Sequence, residues 1–231
     1  MVVGIHQLHY LPWLRYFHKI ACSEVFVVLD NIQYNKNGYQ NRNRIKTPQG
    51  PLMLSVPVYD RFAQSLDAVR IDNKRNWAAK HWRSIEQNYR RAPHFDSLAP
   101  ALREFYLQPW ETLNALNRAM LPFFLDALGI TTPIRYSSEM DAPGEATTRL
   151  VNLIHAAGGS AYLTGAYALD AYLDAEELAA AGIALEIQAW KSVEYPQAHG
   201  PFVPDLSILD LLMHCGPQSR SVLLGQPLDT P

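Results

Sequence analysis

Two hydrophobic rhythms alternate along the chain. Residues 2–5, VVGI, and 25–29, VFVVL, are nearly unbroken apolar runs of strand length, and the second suits an interior strand of a parallel sheet. Between them Leu14, Phe17 and Ala21 recur at helical spacing, which predicts a helix over residues 10–21 with Pro12 in its first turn. In NRNRIKTPQGPLMLSVPV, Thr47-Pro48-Gln49-Gly50 separates two strand-like runs and predicts a hairpin. Helical periodicity returns in AAKHWRSIEQNYRRA, where Ala78, Trp82, Ile85 and Tyr89 share a face, and over residues 112–128, which hold Pro122 and close at Gly129.

From residue 130 strand and helix alternate again. A strand is predicted at 133–136, a helix at 147–157 stopped by Gly158-Gly159, and a strand at 161–164 ended by Gly165. Asp174 and Glu177 have capping-box spacing before a helix that stops at Gly182. Residues 183–189 alternate as an edge strand would, and a last helix runs from Ser207 to Gly216-Pro217, with Ser207 and Asp210 spaced as a reciprocal N-cap. The fold class that follows is α/β: one domain over residues 1–231, with a Rossmann-like, mostly parallel sheet flanked by helices, a β-hairpin, and a helical insertion at about residues 75–128. In such sheets ligands sit beyond the carboxyl ends of the strands. His6, Asp30 and Gly165 each stand at one of those ends.

Composition adds three constraints. Hydrophobic residues are 48% and charged residues 18%, an ordinary globular balance, with disorder expected only in the closing GQPLDTP. No apolar run reaches the roughly 20 residues of a membrane span and no secretory leader is visible, so a cytoplasmic location is expected. Cys22 and Cys215 match no metal or redox spacing and are expected to be reduced, buried fillers. No HExxH, clustered Cys/His, EF-hand, GxSxG, GxGxxG or P-loop pattern occurs, so neither a metal nor a particular cofactor is indicated.

The net charge of −2 hides an asymmetry. Residues 1–91 hold 14 Lys/Arg against 6 Asp/Glu, whereas residues 92–231 hold 6 against 16. A basic half points to an anionic partner. The anion is a phosphate, a nucleotide, a nucleotide-sugar or other small molecule, or an RNA such as a charged tRNA, unless the two halves simply pack against each other; neither DNA nor a membrane span is expected, and oligomeric state is left open.

Within this frame His6, before a helix start, suits anion binding or proton transfer, and Asp30, ending an apolar strand, is either a base or ligand or else ion-paired to Lys36 or Arg44. Arg42 and Arg44 fall on one face of the hairpin and, with Lys36, resemble an anion clamp. Trp82 and Tyr89 read as core, with His81 free to face a cleft. His18 reads as surface, and Cys215 as a buried helix end, with an acyl-carrying thiol as the alternative.

The segment IHQLHYLPWLRYFHKIACSEVFVVLDNIQYNKNGYQNRNRIKTPQGPLMLSVPV resembles the WbqC-like family, whose members are often associated with O-antigen and other surface-polysaccharide gene clusters. The resemblance continues through RNWAAKHWRSIEQNYRRAP, AYLTGAYALDAYLDAEEL, Tyr195-Pro196-Gln197 and FVPDLSILDLLMHCGP. Against the family's usual HQPNYLPWLGYF opening, His6, Gln7, Tyr10, Pro12, Trp13, Tyr16 and Phe17 match, while Leu8, His9 and Arg15 depart. Asp30, Gln33, Tyr34 and Lys36 match a second element, Gln40 to Arg44 match a third, and His214 stands where Asn is commoner.

The resemblance implies a glycine or other aminoacyl transferase in O-antigen synthesis. It adds Gln7, His9, Tyr10, Gln33 and Gln40 to the candidate binding residues. Two other readings stay open: a nucleotidyltransferase or synthetase, and a non-catalytic binding protein of a polysaccharide assembly.

Overall fold

The computed structural model describes residues 1–59, 63–168 and 173–226. Residues 227–231, most of the tail read as disordered, lie outside that range. The chain divides by its contacts into two units, each assembled from separate stretches. The first comprises Met1–Gln7, His18–Asn31 and Thr131–Trp190, and the second Leu8–Phe17, Ile32–Ile130 and Lys191–Pro231.

The first unit holds a five-stranded sheet: β1 (Val2–Gln7), β2 (Val25–Leu29), β3 (Ile134–Tyr136), β4 (Ala161–Thr164) and β5 (Ala184–Ile187). Every pairing is parallel and the order is β3-β2-β1-β4-β5. The chain therefore moves outward from β1 on one side and then returns to build on the other, a doubly wound order whose direction reverses between β1 and β4. Val3 and Ile5 of β1 and Val25 and Val27 of β2 pack with Leu150, Leu153 and Ile154 of the helix Ala146–Ala156 and with Leu178 of the helix Ala175–Ala180. Because side chains alternate across a strand, Gly4 and His6 point to the other face, where a Cβ on Gly4 would run into Ser23 and the Phe26 ring.

The second unit contains the predicted hairpin, Arg42–Thr47 paired antiparallel with Gly50–Ser55, in the register Arg42↔Ser55, Arg44↔Met53 and Lys46↔Pro51. Its main helices are Trp77–Tyr89, Phe95–Leu107, Leu113–Leu128 and Ile208–Cys215. Thr112 caps the third by accepting the Ala115 N–H, and Gly129 ends it at φ 61°, the left-handed conformation that glycine adopts without steric cost.

Several boundaries differ from expectation for identifiable reasons. The first helix begins at Leu14, not Tyr10, because Leu11 turns to φ 45° and its carbonyl accepts from the Asn43 amide at 2.6 Å. The helix Phe95–Leu107 escapes the periodicity because Pro100 lies inside it. Asp174 caps its helix as predicted, but Glu177 does not reciprocate; it accepts from Thr148 instead. Cys215 is buried as expected, whereas Cys22 is exposed.

The charge asymmetry follows the units. Counted over the sequence, the first holds 3 Lys/Arg and 10 Asp/Glu, a net −7, and the second holds 17 and 12, a net +5.

Candidate functional site

The carboxyl end of the sheet brings His6, Asp30 and Gly165 onto one edge of the first unit. β1 pairs with β2 in the register His6↔Val28 and Gln7↔Leu29, and with β4 in the register Gly4↔Leu163, so β1 projects past β4 at the reversal point. His6 is half-buried, with Nδ1 3.2 Å from the Gln7 carbonyl oxygen. A carbonyl only accepts, so Nδ1 carries the proton and the basic lone pair falls on Nε2. Alternation turns Gln7 to the opposite face of the sheet.

Asp30 is fully buried, and its carboxylate accepts hydrogen bonds from the turn that follows β3. The Ser138 N–H donates to it at 2.9 Å and the Ser138 hydroxyl at 2.8 Å, with the Ser137 hydroxyl at 3.2 Å. All three donors come from the 3-10 turn Ser137–Glu139 that follows β3. These bonds tie the ends of β2 and β3 together.

In the second unit the remaining candidates separate into three groups. His9 lies buried among aromatic rings, stacked on Tyr16 at 5.8 Å and edge-on to Trp13 at 5.2 Å. Tyr10 has no exposed surface, and its hydroxyl lies 2.8 Å from His81 Nδ1 and 2.9 Å from the Tyr106 hydroxyl. His81, expected to face a cleft, is buried beside Trp77, with its ring also bonded to the Ser55 backbone. Gln40 is fully buried, accepting the Asn35 N–H through its side chain and the Asn117 amide through its carbonyl. These residues act through packing and internal hydrogen bonds.

Burial lowers the His81 pKa to about 4 from 6.5, opposed by the Ser55 bond. The neutral imidazole is the folded form, so its stability is fully present above pH 6.5 and is lost as pH falls through 4. Between those values the wild type should lose up to roughly 3 kcal/mol relative to His81→Gln. Urea unfolding of both proteins at pH 7, 5.5 and 4 reads this directly, and parallel pH curves would contradict it.

The last group is Gln33 and Lys36, both exposed, with the two hairpin arginines. Gln33 forms a bridge with Ser65. The hairpin register puts Arg42 and Arg44 on one face, as expected, and both are half-buried. The Arg42 guanidinium donates to the Asn37 carbonyl and the Arg44 guanidinium to the Asp205 carbonyl at 3.2 Å. Their partners are neutral carbonyls, so neither positive charge is neutralised by those bonds.

The constellation that sequence reasoning missed is centred on Asp210. Instead of closing the N-cap, for which Ser207 N–H uses the Arg44 carbonyl, the Asp210 carboxylate turns inward and is fully buried. The Tyr89 hydroxyl donates to it at 2.9 Å while accepting the Lys46 N–H, and Tyr195 adds a second hydroxyl. Lys46 Nζ is spent on Gln197 at 3.0 Å and on the carbonyls of Gly200 and Pro201. His214 accepts the Ala198 N–H at Nε2 and donates from Nδ1 to the Asp210 main-chain carbonyl at 2.7 Å. A carboxylate in the apolar run ILDLLMHC and the Tyr195-Pro196-Gln197 element were the signals available in the sequence.

Burial, and secondarily the Asp210 charge, raise the Cys215 thiol to about 11. It is protonated near neutral pH, which disfavours the acyl-carrying alternative. Iodoacetamide on the native protein should label Cys22 and spare Cys215 until denaturant is added, as read by peptide mass spectrometry; equal native labelling would reopen the thiol reading. Among the described residues no group of three His, Cys, Asp or Glu side chains could hold a metal ion, and no helix is long and apolar enough to cross a membrane.

A protein of Mycobacterium tuberculosis (strain ATCC 25618 / H37Rv), described as "Uncharacterized protein Rv1507c", is 37% identical over 227 residues, covering 96% of each chain. No solved structure matches the chain. The WbqC-like protein family model matches residues 7–222, which span the second to fifth sheet strands, the hairpin and the Asp210 cluster, and the chain belongs to that family.

Proposed function

We propose that the protein is an aminoacyl transferase, passing a glycyl-type acyl group from an activated anionic donor to a hydroxyl or amine of a sugar precursor in surface-polysaccharide synthesis. The observation that carries this reading is the position of His6: it ends β1 at the reversal point of the doubly wound sheet, with its basic lone pair on Nε2. In the proposed step Nε2 takes the proton of the acceptor O–H or N–H. The acceptor atom bonds to the acyl carbon, and the carrier leaves with the electron pair of the broken acyl bond. The buried, protonated Cys215 thiol argues for direct transfer without an acyl-enzyme on that residue.

The test is mass spectrometry of small molecules that co-purify with the protein, followed by transfer assays with glycyl donors on coenzyme A, carrier protein, nucleotide and tRNA against sugar acceptors. Failure with every donor and acceptor removes the reading. The doubly wound order also favours a nucleotidyltransferase-like alternative. That alternative requires ATP-dependent pyrophosphate exchange, which direct transfer does not.

A further inference from the structure

The carboxyl edge of the first unit carries an aromatic rim that the proton-transfer step leaves unused. Tyr167, two residues beyond Gly165, is 80% exposed, the most exposed large hydrophobic side chain described. An exposed ring of this size offers a flat apolar face to a ligand. Gly165 itself has an ordinary negative-side backbone and nothing within 4 Å of where a Cβ would stand. Neither backbone conformation nor crowding calls for glycine there, and the open space sits beside the end of β4, where the reversal places a ligand.

The neighbouring strand completes the rim. β5 ends at Ile187, opposite Thr164 and 42% exposed, and the pairing runs one bond further as Gln188 N–H donates to the Thr164 carbonyl at 2.7 Å. The Gln188 side-chain amide then lies 2.9 Å from His18 Nδ1, and the His18 ring is edge-on to Trp190 at 5.2 Å. His18, read from sequence as a surface residue, is half-buried here and its pKa is lowered by that burial. With its Nδ1 accepting from Gln188, the imidazole N–H lies on Nε2. The edge therefore offers an exposed aromatic face on one strand end and a fixed histidine, glutamine and tryptophan on the next.

We infer that Tyr167, His18, Gln188 and Trp190 form the acceptor subsite of the proposed transferase, binding a pyranose ring, neutral or aminated. The chemistry selects a sugar. Tyr167 matches the apolar C–H face of a pyranose, His18 and Gln188 match its hydroxyls, and the net −7 of this unit disfavours a phosphate-bearing ligand part while tolerating an amine. The inference rests on the reading of His6 as the base acting on that acceptor.

Saturation-transfer NMR on the full chain tests it, with methyl glucoside, methyl 2-amino-2-deoxyglucoside and UMP as probes. The glycosides should receive saturation on their ring C–H protons. Tyr167→Ala should weaken their binding about tenfold, Tyr167→Phe should retain it, and Gln188→Ala should weaken it less than Tyr167→Ala. Glycoside binding that is absent, or indifferent to Tyr167→Ala, overturns the subsite, as does UMP competing for Tyr167 more tightly than either glycoside. The two claims separate through His6→Ala in the transfer assay. Loss of transfer without Tyr167-dependent glycoside binding leaves the base and removes the subsite. Tyr167-dependent binding with undiminished transfer leaves the subsite and removes the base.

Discussion

His6→Gln is expected to lower turnover by about 10²–10⁴-fold, the usual contribution of one positioned general base, with stability changed by less than about 1 kcal/mol because the side chain is only half-buried. Glutamine can still donate to the Gln7 carbonyl, so the local hydrogen bond that orients the histidine has a substitute, but it offers no lone pair of comparable basicity. The loss should fall on kcat with KM little changed, since the proton moves only on the way to the transition state. Wild-type turnover in His6→Gln would assign the base to another residue and remove the central element of the proposed mechanism.

Asp210→Ala is expected to destabilise the protein by about 3–5 kcal/mol, the range for removing one member of a buried charged network. The Tyr89 and Tyr195 hydroxyls would lose their acceptor, and Lys46, bonded only to neutral oxygens, would keep its charge without the buried carboxylate nearby. Asp210→Asn preserves shape and should cost less.

The effect also depends on pH. Burial raises the Asp210 pKa above the carboxyl value of 3.8, with His214 first and then the tyrosine hydroxyls and Lys46 opposing the shift. Between 3.8 and the raised folded value the native protein binds more protons than the unfolded chain, so the stability attached to Asp210 falls as pH rises through that window. The gap between wild type and Asp210→Ala, measured by guanidinium unfolding, should therefore be widest below the ordinary carboxyl range and narrow above it. A gap that widens with rising pH would mean that the carboxylate is better solvated than its burial implies.

Much of the fold was legible because its signals are local. The apolar runs at residues 2–5 and 25–29, the Gly-stopped helix before β4, and the alternating IALEIQA each fix their own conformation over a few residues, and each appears as read. The turn at Pro48-Gln49 sets the hairpin register, and with it the shared face of Arg42 and Arg44, because side-chain alternation leaves no other arrangement. The errors fall where a distant partner overrides a local preference. Asn43 draws the Leu11 carbonyl and delays the first helix; Pro100 sits inside a helix that tertiary packing holds.

For the candidate site the division is similar. The sequence by itself determined an α/β chain, a histidine at the end of the first strand, a basic hairpin and a biased charge distribution, since strand ends and charge counts need only neighbouring residues or none. Only the tertiary structure decided the rest: that Asp30 is spent on Ser137 and Ser138, that Tyr10 and His81 face each other instead of a cleft, that Asp210 gathers Tyr89 and Tyr195, and that His18 joins Gln188 and Trp190. Each of those partners lies from 71 to 172 residues away, apart from Tyr195 at 15. A polar side chain reveals its role through the donors and acceptors folded around it, and those are set by chain topology, which no local pattern carries.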